Sequence, residues 1–163
     1  MGEGTLVKRF ATLFVVMFLA TSLVALPAYA GESCHKINAS GSGTSSGVDP
    51  IVIESQIQGG GLLQGTVAGT FSDFDFSGLP VFGFSGPLTF TTNRGTVTFD
   101  VAGELDLVTE LGFNDGPVSA STGKLAGATG YIEVDLVSNL AAGTFTQAIT
   151  GEICVDLQGN GKR

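Results

Sequence analysis

Apolar and polar residues alternate along most of the chain after residue 30, and helical spacing is nearly absent. In the segment GTVTFDVAGELDL, Val97, Phe99 and Val101 share one face and polar residues share the other. This period of two is typical of a β-strand with one buried face. The same alternation precedes the segment, and the tetrapeptide TNRG between them supplies the residues of a tight turn. The pattern therefore predicts a β-hairpin over residues 87–107.

Similar alternation recurs over the rest of the chain. The other segments with this pattern are 34–40, 51–58, 63–71, 117–120, 131–136 and 145–157. Together with the hairpin they predict about eight short strands at close spacing, which favours a closed antiparallel barrel or a two-sheet sandwich.

Two cysteines, Cys34 and Cys154, lie near the ends of the alternating region. In an exported protein an even number of cysteines favours a disulfide. Ile37 and Ile153 point inward on the same two strands, so both cysteines point outward. They can pair if the first and last strands are neighbours, as happens when a sheet closes into a barrel. We therefore predict an all-β fold, a single eight-stranded antiparallel β-barrel with a Cys34–Cys154 disulfide, and keep the β-sandwich as the alternative.

The N-terminal thirty residues have the pattern of a secretory signal peptide. Lys8 and Arg9 precede an apolar run, and the small-residue sequence AYA ends at Ala30. The apolar run is shorter than the roughly 20 residues that a membrane span needs. We expect residues 1–30 to be removed and the mature chain to be secreted, extracellular or periplasmic, without a membrane anchor.

Domain limits follow from this expectation. Residues 31–157 are predicted to form one barrel domain, and residues 158–163 a disordered tail. The run GSGTSSGVDP, residues 41–50, is small and polar and is interpreted as a mobile connection.

The charge balance restricts the choice of partner. Without Glu3, Lys8 and Arg9 the 15 acidic and 7 basic residues become 14 and 5, a net charge of −9. Nucleic acid binding needs clustered Lys and Arg, so nucleic acid is not an expected partner. The same argument disfavours an anionic membrane surface, and the chain gives no prediction of an oligomeric state.

The stretch STGKLAGATGY, residues 121–131, is rich in glycine. A phosphate-binding loop needs Ser or Thr directly after its lysine, but Lys124 is followed by Leu125. We therefore interpret the glycines as permitting positive φ or close backbone approach at a bend between two strands.

The segment VSASTGKLAGATGYIEVDL resembles the C-terminal stretch of dirigent proteins and allene oxide cyclases. The match lies at Thr122, Gly123, Lys124, Gly130 and Tyr131. This resemblance implies an eight-stranded antiparallel barrel of the allene oxide cyclase, dirigent or lipocalin-like type with an apolar interior cavity. For some members of the superfamily it also implies that cyclisation or coupling of hydrophobic molecules is guided or catalysed without a cofactor.

Signals for catalysis and metal binding are weak, and we predict no catalytic residue, no metal site and no cofactor. His35 is the only histidine, and no G-x-S-x-G nucleophile motif occurs. Two isolated cysteines and one histidine are too few ligands for zinc. Asp73 and Asp75 flank Phe74 and are interpreted as solvated acids opposite buried phenylalanines.

Phenylalanines carry the predicted ligand site. Phe71, Phe82, Phe84 and Phe99 are expected to form an aromatic wall for a small apolar molecule. The alternatives are a cofactor-free cyclase or isomerase and an extracellular surface or matrix protein without a ligand. A cavity below about 300 Å³ leaves little room for a drug-sized ligand. An enclosed Asp, Glu, Arg or Tyr at the cavity wall favours an enzyme over a binding protein.

Overall fold

The computed structural model describes residues 33–157. The predicted signal peptide, residues 1–30, and the predicted tail, residues 158–163, lie outside the described residues. The strands in the described range are β1 (Ser33–Ser46), β2 (Ile51–Gly59), β3 (Gly65–Phe71), β4 (Asp73–Asp75), β5 (Val81–Thr92), β6 (Gly95–Asp106), β7 (Leu111–Ser121), β8 (Thr129–Asn139) and β9 (Thr144–Val155). Two 3-10 turns, Gly61–Leu63 and Gly123–Leu125, complete the regular structure of this range. It contains no helix long and apolar enough to cross a membrane.

Eight of the strands form a closed antiparallel barrel. The hydrogen-bonded order is β3-β2-β1-β9-β8-β7-β6-β5, and β5 pairs back with β3 to close the ring. Strand β4 pairs only with β5 and extends the sheet outside the ring. The predicted barrel is therefore confirmed over the sandwich, because the first and last barrel strands pair with each other. Closure also leaves no unpaired edge within the ring.

Alternation along the strands produces the core as expected. Val97, Phe99 and Val101 on β6 are at most 2 % exposed, and Leu88 and Phe90 face them from β5. The predicted 87–107 hairpin is confirmed, and its two strands pair from Val81 and Asp106 to the turn. Burying these large apolar side chains against one another supplies the main stabilising term of the barrel.

Two local predictions were wrong. The supposed mobile connection 41–50 is strand up to Ser46, and this half of β1 pairs with both β2 and β9. Small residues are needed there because the neighbouring strand lies close: a Cβ added at Gly43 would lie 2.6 Å from the Cβ of Ser55. The predicted strand 117–120 is also too short, because β7 begins at Leu111. Gly112 and Gly116 interrupt its apolar pattern and concealed its first half.

One end of the barrel is plugged, and we call it the closed end. It is formed by the connections between β2 and β3, between β5 and β6, and between β7 and β8. The two 3-10 turns cover it with Leu63 and Leu125, both fully buried. Gly123 and Gly127 have φ of 64° and 80° in the predicted bend, a region that side-chain-bearing residues avoid. The glycine-rich stretch is thus a structural bend, as expected.

The predicted disulfide is confirmed at this end. Cys34 on β1 lies directly opposite Cys154 on β9, and their sulfur atoms are bonded. Both side chains lie on the outer face, because the inward neighbours Ile37 and Ile153 fill the core. The bond joins the first and last strands of the chain, which are neighbours in the ring.

Candidate ligand-binding cavity

The opposite end of the barrel contains an apolar cavity, and we call it the open end. It is formed by the connections between β1 and β2, β4 and β5, β6 and β7, and β8 and β9. The cavity has a volume of about 290 Å³. This volume falls just below the lower limit of about 300 Å³ for ligand pockets, so the enclosed space alone leaves little room for a drug-sized ligand. Its rim opens to solvent, so an occupant is not restricted to the enclosed volume.

Five phenylalanines form one wall of this cavity. Phe71 on β3 packs edge-to-face on Phe84 of β5, with ring centroids 5.0 Å apart. Phe82 stacks on Phe76 at 5.5 Å and contacts Phe74 at 6.1 Å. Aromatic pairs at these separations contribute beyond their buried area and hold the rings in defined orientations. We call these five residues the phenylalanine wall.

Strand parity explains how the phenylalanine wall forms. On β5 the even-numbered residues point inward, so Phe82 and Phe84 continue the face of the buried Leu88. Strand β4 pairs with the same stretch of β5 and places Phe74 opposite Phe84. The short outer strand therefore extends the aromatic surface beyond the ring of eight strands. Gly86 leaves room for the Phe71 ring, because an added Cβ would lie 3.0 Å from that ring.

The structure brings together three of the four predicted binding residues. Phe71, Phe82 and Phe84 line the cavity. Phe99 does not lie among the lining residues; it is fully buried deeper in the barrel and packs edge-to-face on Phe90 at 5.5 Å. The inward direction of the Phe99 side chain was predicted correctly. Alternation along a strand shows which face a side chain lies on, but it does not show the position of that residue along the barrel axis.

Sequence reasoning missed Asn114 as part of this site. Asn114 on β7 lines the cavity with only 3 % of its surface exposed. Within residues 33–157, its Oδ1 is the buried side-chain polar atom without a hydrogen-bond partner. The signal was hidden because β7 begins six residues earlier than its apolar pattern indicates. Counting inward positions back from Val118 in steps of two reaches Asn114.

Apolar side chains also project at the open rim. Val48, Phe76, Leu107 and Leu140 line the cavity although they are 86 %, 54 %, 41 % and 43 % exposed. They come from four different connections at the open end. An apolar molecule therefore meets apolar surface before it enters, which favours entry from this end.

Acidic side chains hold two of the rim connections. Asp75 accepts the main-chain N–H of Ser77 at 2.9 Å and fixes the turn that carries Phe76. Asp106 accepts the N–H of Val108 at 2.7 Å in the turn that carries Leu107. These main-chain donors lower the pKa of both carboxyl groups below the ordinary value of 3.8. Both acids therefore stay ionised at neutral pH.

A third acid joins two rim connections. The Glu110 carboxylate accepts the main-chain N–H of Leu140 at 3.1 Å, and its carbonyl accepts the N–H of Ser138 at 2.8 Å. Glu110 has a φ of 59°, which a residue with a side chain rarely adopts. The connection between β6 and β7 is thereby tied to the one between β8 and β9.

The cavity wall offers no group for proton transfer. Its polar lining residues are Ser45, Asn114 and Ser138, and none of the described lining residues has a side chain that titrates as an acid or base. Asp73 and Asp75 are exposed on the outer face of β4, while Phe74 between them belongs to the phenylalanine wall. This agrees with their interpretation as solvated acids.

The remaining candidates lie away from the cavity. His35 is half-buried at the closed end, and its Nε2 lies 2.9 Å from the Ser33 hydroxyl. Among the described residues, Cys34, Glu152 and Cys154 form the group with metal-ligand proximity. The two sulfur atoms of this group are joined in the disulfide and provide no thiolate for a metal.

Larger depressions, of about 430 to 680 Å³, lie on the outer surface. They are lined mainly by outward-facing polar side chains such as Ser42, Gln56 and Thr146. They expose no continuous apolar wall, so the barrel interior at the open end is the better candidate for a ligand site.

Comparison with known proteins gives one structural likeness to report. No family model matches this chain, and no curated protein matches it. A solved structure of a pterocarpan synthase dirigent protein matches 81 % of this chain and 94 % of its own, at 10 % identity and a TM-score of 0.45. The closed barrel is established by the strand pairing of this chain itself.

Proposed function

We propose that this chain is an exported barrel that binds a small apolar molecule in its open-end cavity. The observation that carries the proposal is the phenylalanine wall, a preformed apolar surface that opens to solvent through an apolar rim. Pockets for small molecules in proteins have this composition, mainly apolar with few polar groups.

The expected affinity is weak. An occupant that buries roughly 200 Å² of apolar surface gains about 5 kcal/mol at about 25 cal/mol per Å². Lost translational and rotational freedom offsets part of this gain. Dispersion contacts with aligned aromatic rings add to it. We expect dissociation constants of about 0.1–1 mM for a compact hydrophobic ligand.

Export is part of the proposal and is supported by the disulfide. A structural Cys34–Cys154 bond is characteristic of proteins that mature in an oxidising compartment. The signal-peptide pattern of residues 1–30 points to the same compartment. A secreted or periplasmic carrier of this kind would take up apolar molecules from water through the open end.

Titration with the fluorescent probe N-phenyl-1-naphthylamine tests the binding proposal. The probe brightens in an apolar site, and we expect saturable enhancement with the purified barrel. Leu136→Trp places a larger ring in the cavity, because Leu136 lines it, and should abolish the enhancement. Val137→Trp is the matched control: Val137 is the next residue on β8, is 55 % exposed and points outward. Absence of saturable binding to the wild-type protein, or equal binding by both variants, contradicts the proposal.

The cyclase alternative is supported by the barrel and by the sequence resemblance around Gly123 and Gly130. Guiding two apolar partners by shape needs only a preformed wall, which the cavity supplies. Proton transfer needs an acid or base, and the described cavity lining contains none. The small cavity volume of about 290 Å³ favours the alternative of a surface protein without a ligand, whereas the phenylalanine wall that opens to solvent favours binding. Binding is therefore the function that the geometry supports best.

A further inference from the structure

Asn114 is a polar side chain held where an apolar one would be more stable. It is 3 % exposed, and its Oδ1 has no hydrogen-bond partner within residues 33–157. A buried acceptor that has lost its water and gained no donor is strongly unfavourable. An unpaired buried acceptor in a native structure calls for an explanation. One explanation is that a hydrogen-bond donor on a bound molecule pairs with it.

The barrel satisfies another buried polar pair internally, which makes Asn114 the exception. Gln147 on β9 donates a hydrogen bond from its Nε2 to the Ser55 hydroxyl at 2.8 Å, and both side chains are 5 % exposed. That pair requires nothing from outside the protein. Asn114, by contrast, lines the cavity while its buried Oδ1 accepts no hydrogen bond from the described residues.

Backbone register places Asn114 at the floor of the cavity. On its two sides lie Gly103 of β6 and Val134 of β8. The next inward position toward the open end is Gly112, flanked by Leu105 and Leu136 of the cavity wall.

Glycine at two of these positions allows close packing around Asn114. Gly103 has no side chain to cover it, and a Cβ added there would lie 2.5 Å from the Asn114 Cβ. A Cβ added at Gly112 would lie 3.0 Å from the Leu105 Cδ1, so the Leu105 side chain packs against this position. Because Asn114 lines the same cavity as the phenylalanine wall, an occupant of the cavity lies beside Asn114.

We propose that Asn114 selects ligands that carry a hydroxyl group at one end of an apolar body. This inference rests on the proposed binding function and specifies the class of ligand. The hydroxyl donates its hydrogen to Asn114 Oδ1, while the apolar body packs against the phenylalanine wall. A carbonyl in the same position offers no hydrogen to that atom, so an alcohol binds more tightly than the corresponding ketone.

Borneol and camphor provide the test, because they share one compact bicyclic skeleton and differ in a hydroxyl against a carbonyl. Each displaces N-phenyl-1-naphthylamine from the wild-type barrel in a competition titration. Borneol forms one neutral hydrogen bond with Asn114, whereas camphor leaves the Oδ1 acceptor unpaired. We therefore expect borneol to bind about tenfold more tightly than camphor. This comparison needs no variant and so does not depend on the folding of a mutant.

Two variants assign the preference to the side chain. Asn114→Leu keeps the size and removes the acceptor, and should bring the borneol-to-camphor ratio to about one. Phe113→Leu is the matched control on the same strand, because Phe113 is 49 % exposed and points outward. It should retain the wild-type ratio. Asn114→Leu should also raise the thermal midpoint of the empty protein, since it removes an unpaired buried acceptor.

Each outcome decides the inference. Equal affinities for borneol and camphor in the wild type, or a preference that persists in Asn114→Leu, overturn the role of Asn114 and leave the binding proposal standing. Failure of both compounds to displace a probe that itself binds also overturns the selection of hydroxyl ligands. Failure of the probe to bind at all overturns the proposed function instead.

Discussion

Removal of the disulfide is the perturbation whose size follows most directly from the fold. The double variant Cys34→Ser/Cys154→Ser deletes a bond between residues 120 positions apart. In the chain-entropy model, a cross-link that closes a loop of this length stabilises the folded state by about 5 kcal/mol. Total stabilities of single domains are about 5–15 kcal/mol, so the loss is a large fraction of the whole.

The effect should act on the unfolded chain, because the folded barrel has other contacts that close it. Strands β1 and β9 pair at twelve successive positions, from Ser33 opposite Val155 to Thr44 opposite Thr144. The hydrogen bonds of this pairing hold β1 and β9 together in the native state without the disulfide. We therefore expect the variant to keep the β-sheet circular dichroism spectrum of the wild type and to unfold more easily.

Urea unfolding of the oxidised wild type and of the variant measures the difference. We expect a loss of about 2–5 kcal/mol, since the chain-entropy value is commonly an upper estimate. The slope of free energy against urea should rise, because the unfolded chain without a cross-link exposes more surface. Asn38→Ser/Thr150→Ser is the matched control, as these exposed residues face each other across the same strands. A loss below about 1 kcal/mol with an unchanged slope would refute the reasoning.

Three further predictions concern other parts of the barrel. Ser55→Ala should lower the free energy of urea unfolding by about 1–3 kcal/mol by leaving Gln147 unpaired, and Gln147→Leu in the same chain should recover part of it. Gly127→Ala should cost about 1–2 kcal/mol through backbone strain alone, because an added Cβ meets no atom within 4 Å; Gly127→Asn should cost less in the same urea assay. Asp106 has a lowered pKa because it accepts main-chain N–H groups, so its contribution is present above 3.8 and is lost as the pH falls through the folded-state pKa. Unfolding measured over a pH series should show a weaker acid dependence in Asp106→Asn.

The fold could be predicted from the sequence because the barrel is built from period-two alternation. This pattern alone is enough to predict the hairpin that contains Val97 and Phe99. It is also enough to predict that both cysteine side chains point outward. The prediction failed where glycine replaces apolar residues on the inward face. Gly43 on β1 and Gly112 on β7 carry no side chain to show the period, so the pattern predicts a linker around Gly43 and does not predict the first half of β7.

The candidate site could be predicted only in part, for a geometric reason. Phe71, Phe82 and Phe84 were correctly placed on inward faces. Whether an inward side chain fills the core, as Phe99 does, or lines a cavity depends on its height between the closed and open ends. That height follows from strand stagger around the ring, which local sequence does not encode. The same strand stagger places Asn114 at the height of the cavity.

The sequence by itself determined the alternation, the inward and outward parity of the strands, the outward cysteines and the bend at the glycine-rich stretch, because each depends on residues near one another in the chain. Tertiary structure alone decided the pairing of β3 with β5, the position of β4 outside the ring and the packing of Leu63 and Leu125 at the closed end. It also decided that Asn114, whose buried Oδ1 has no hydrogen-bond partner among the described residues, lies at the cavity floor. These features depend on contacts between distant segments, and such contacts form only when the barrel closes.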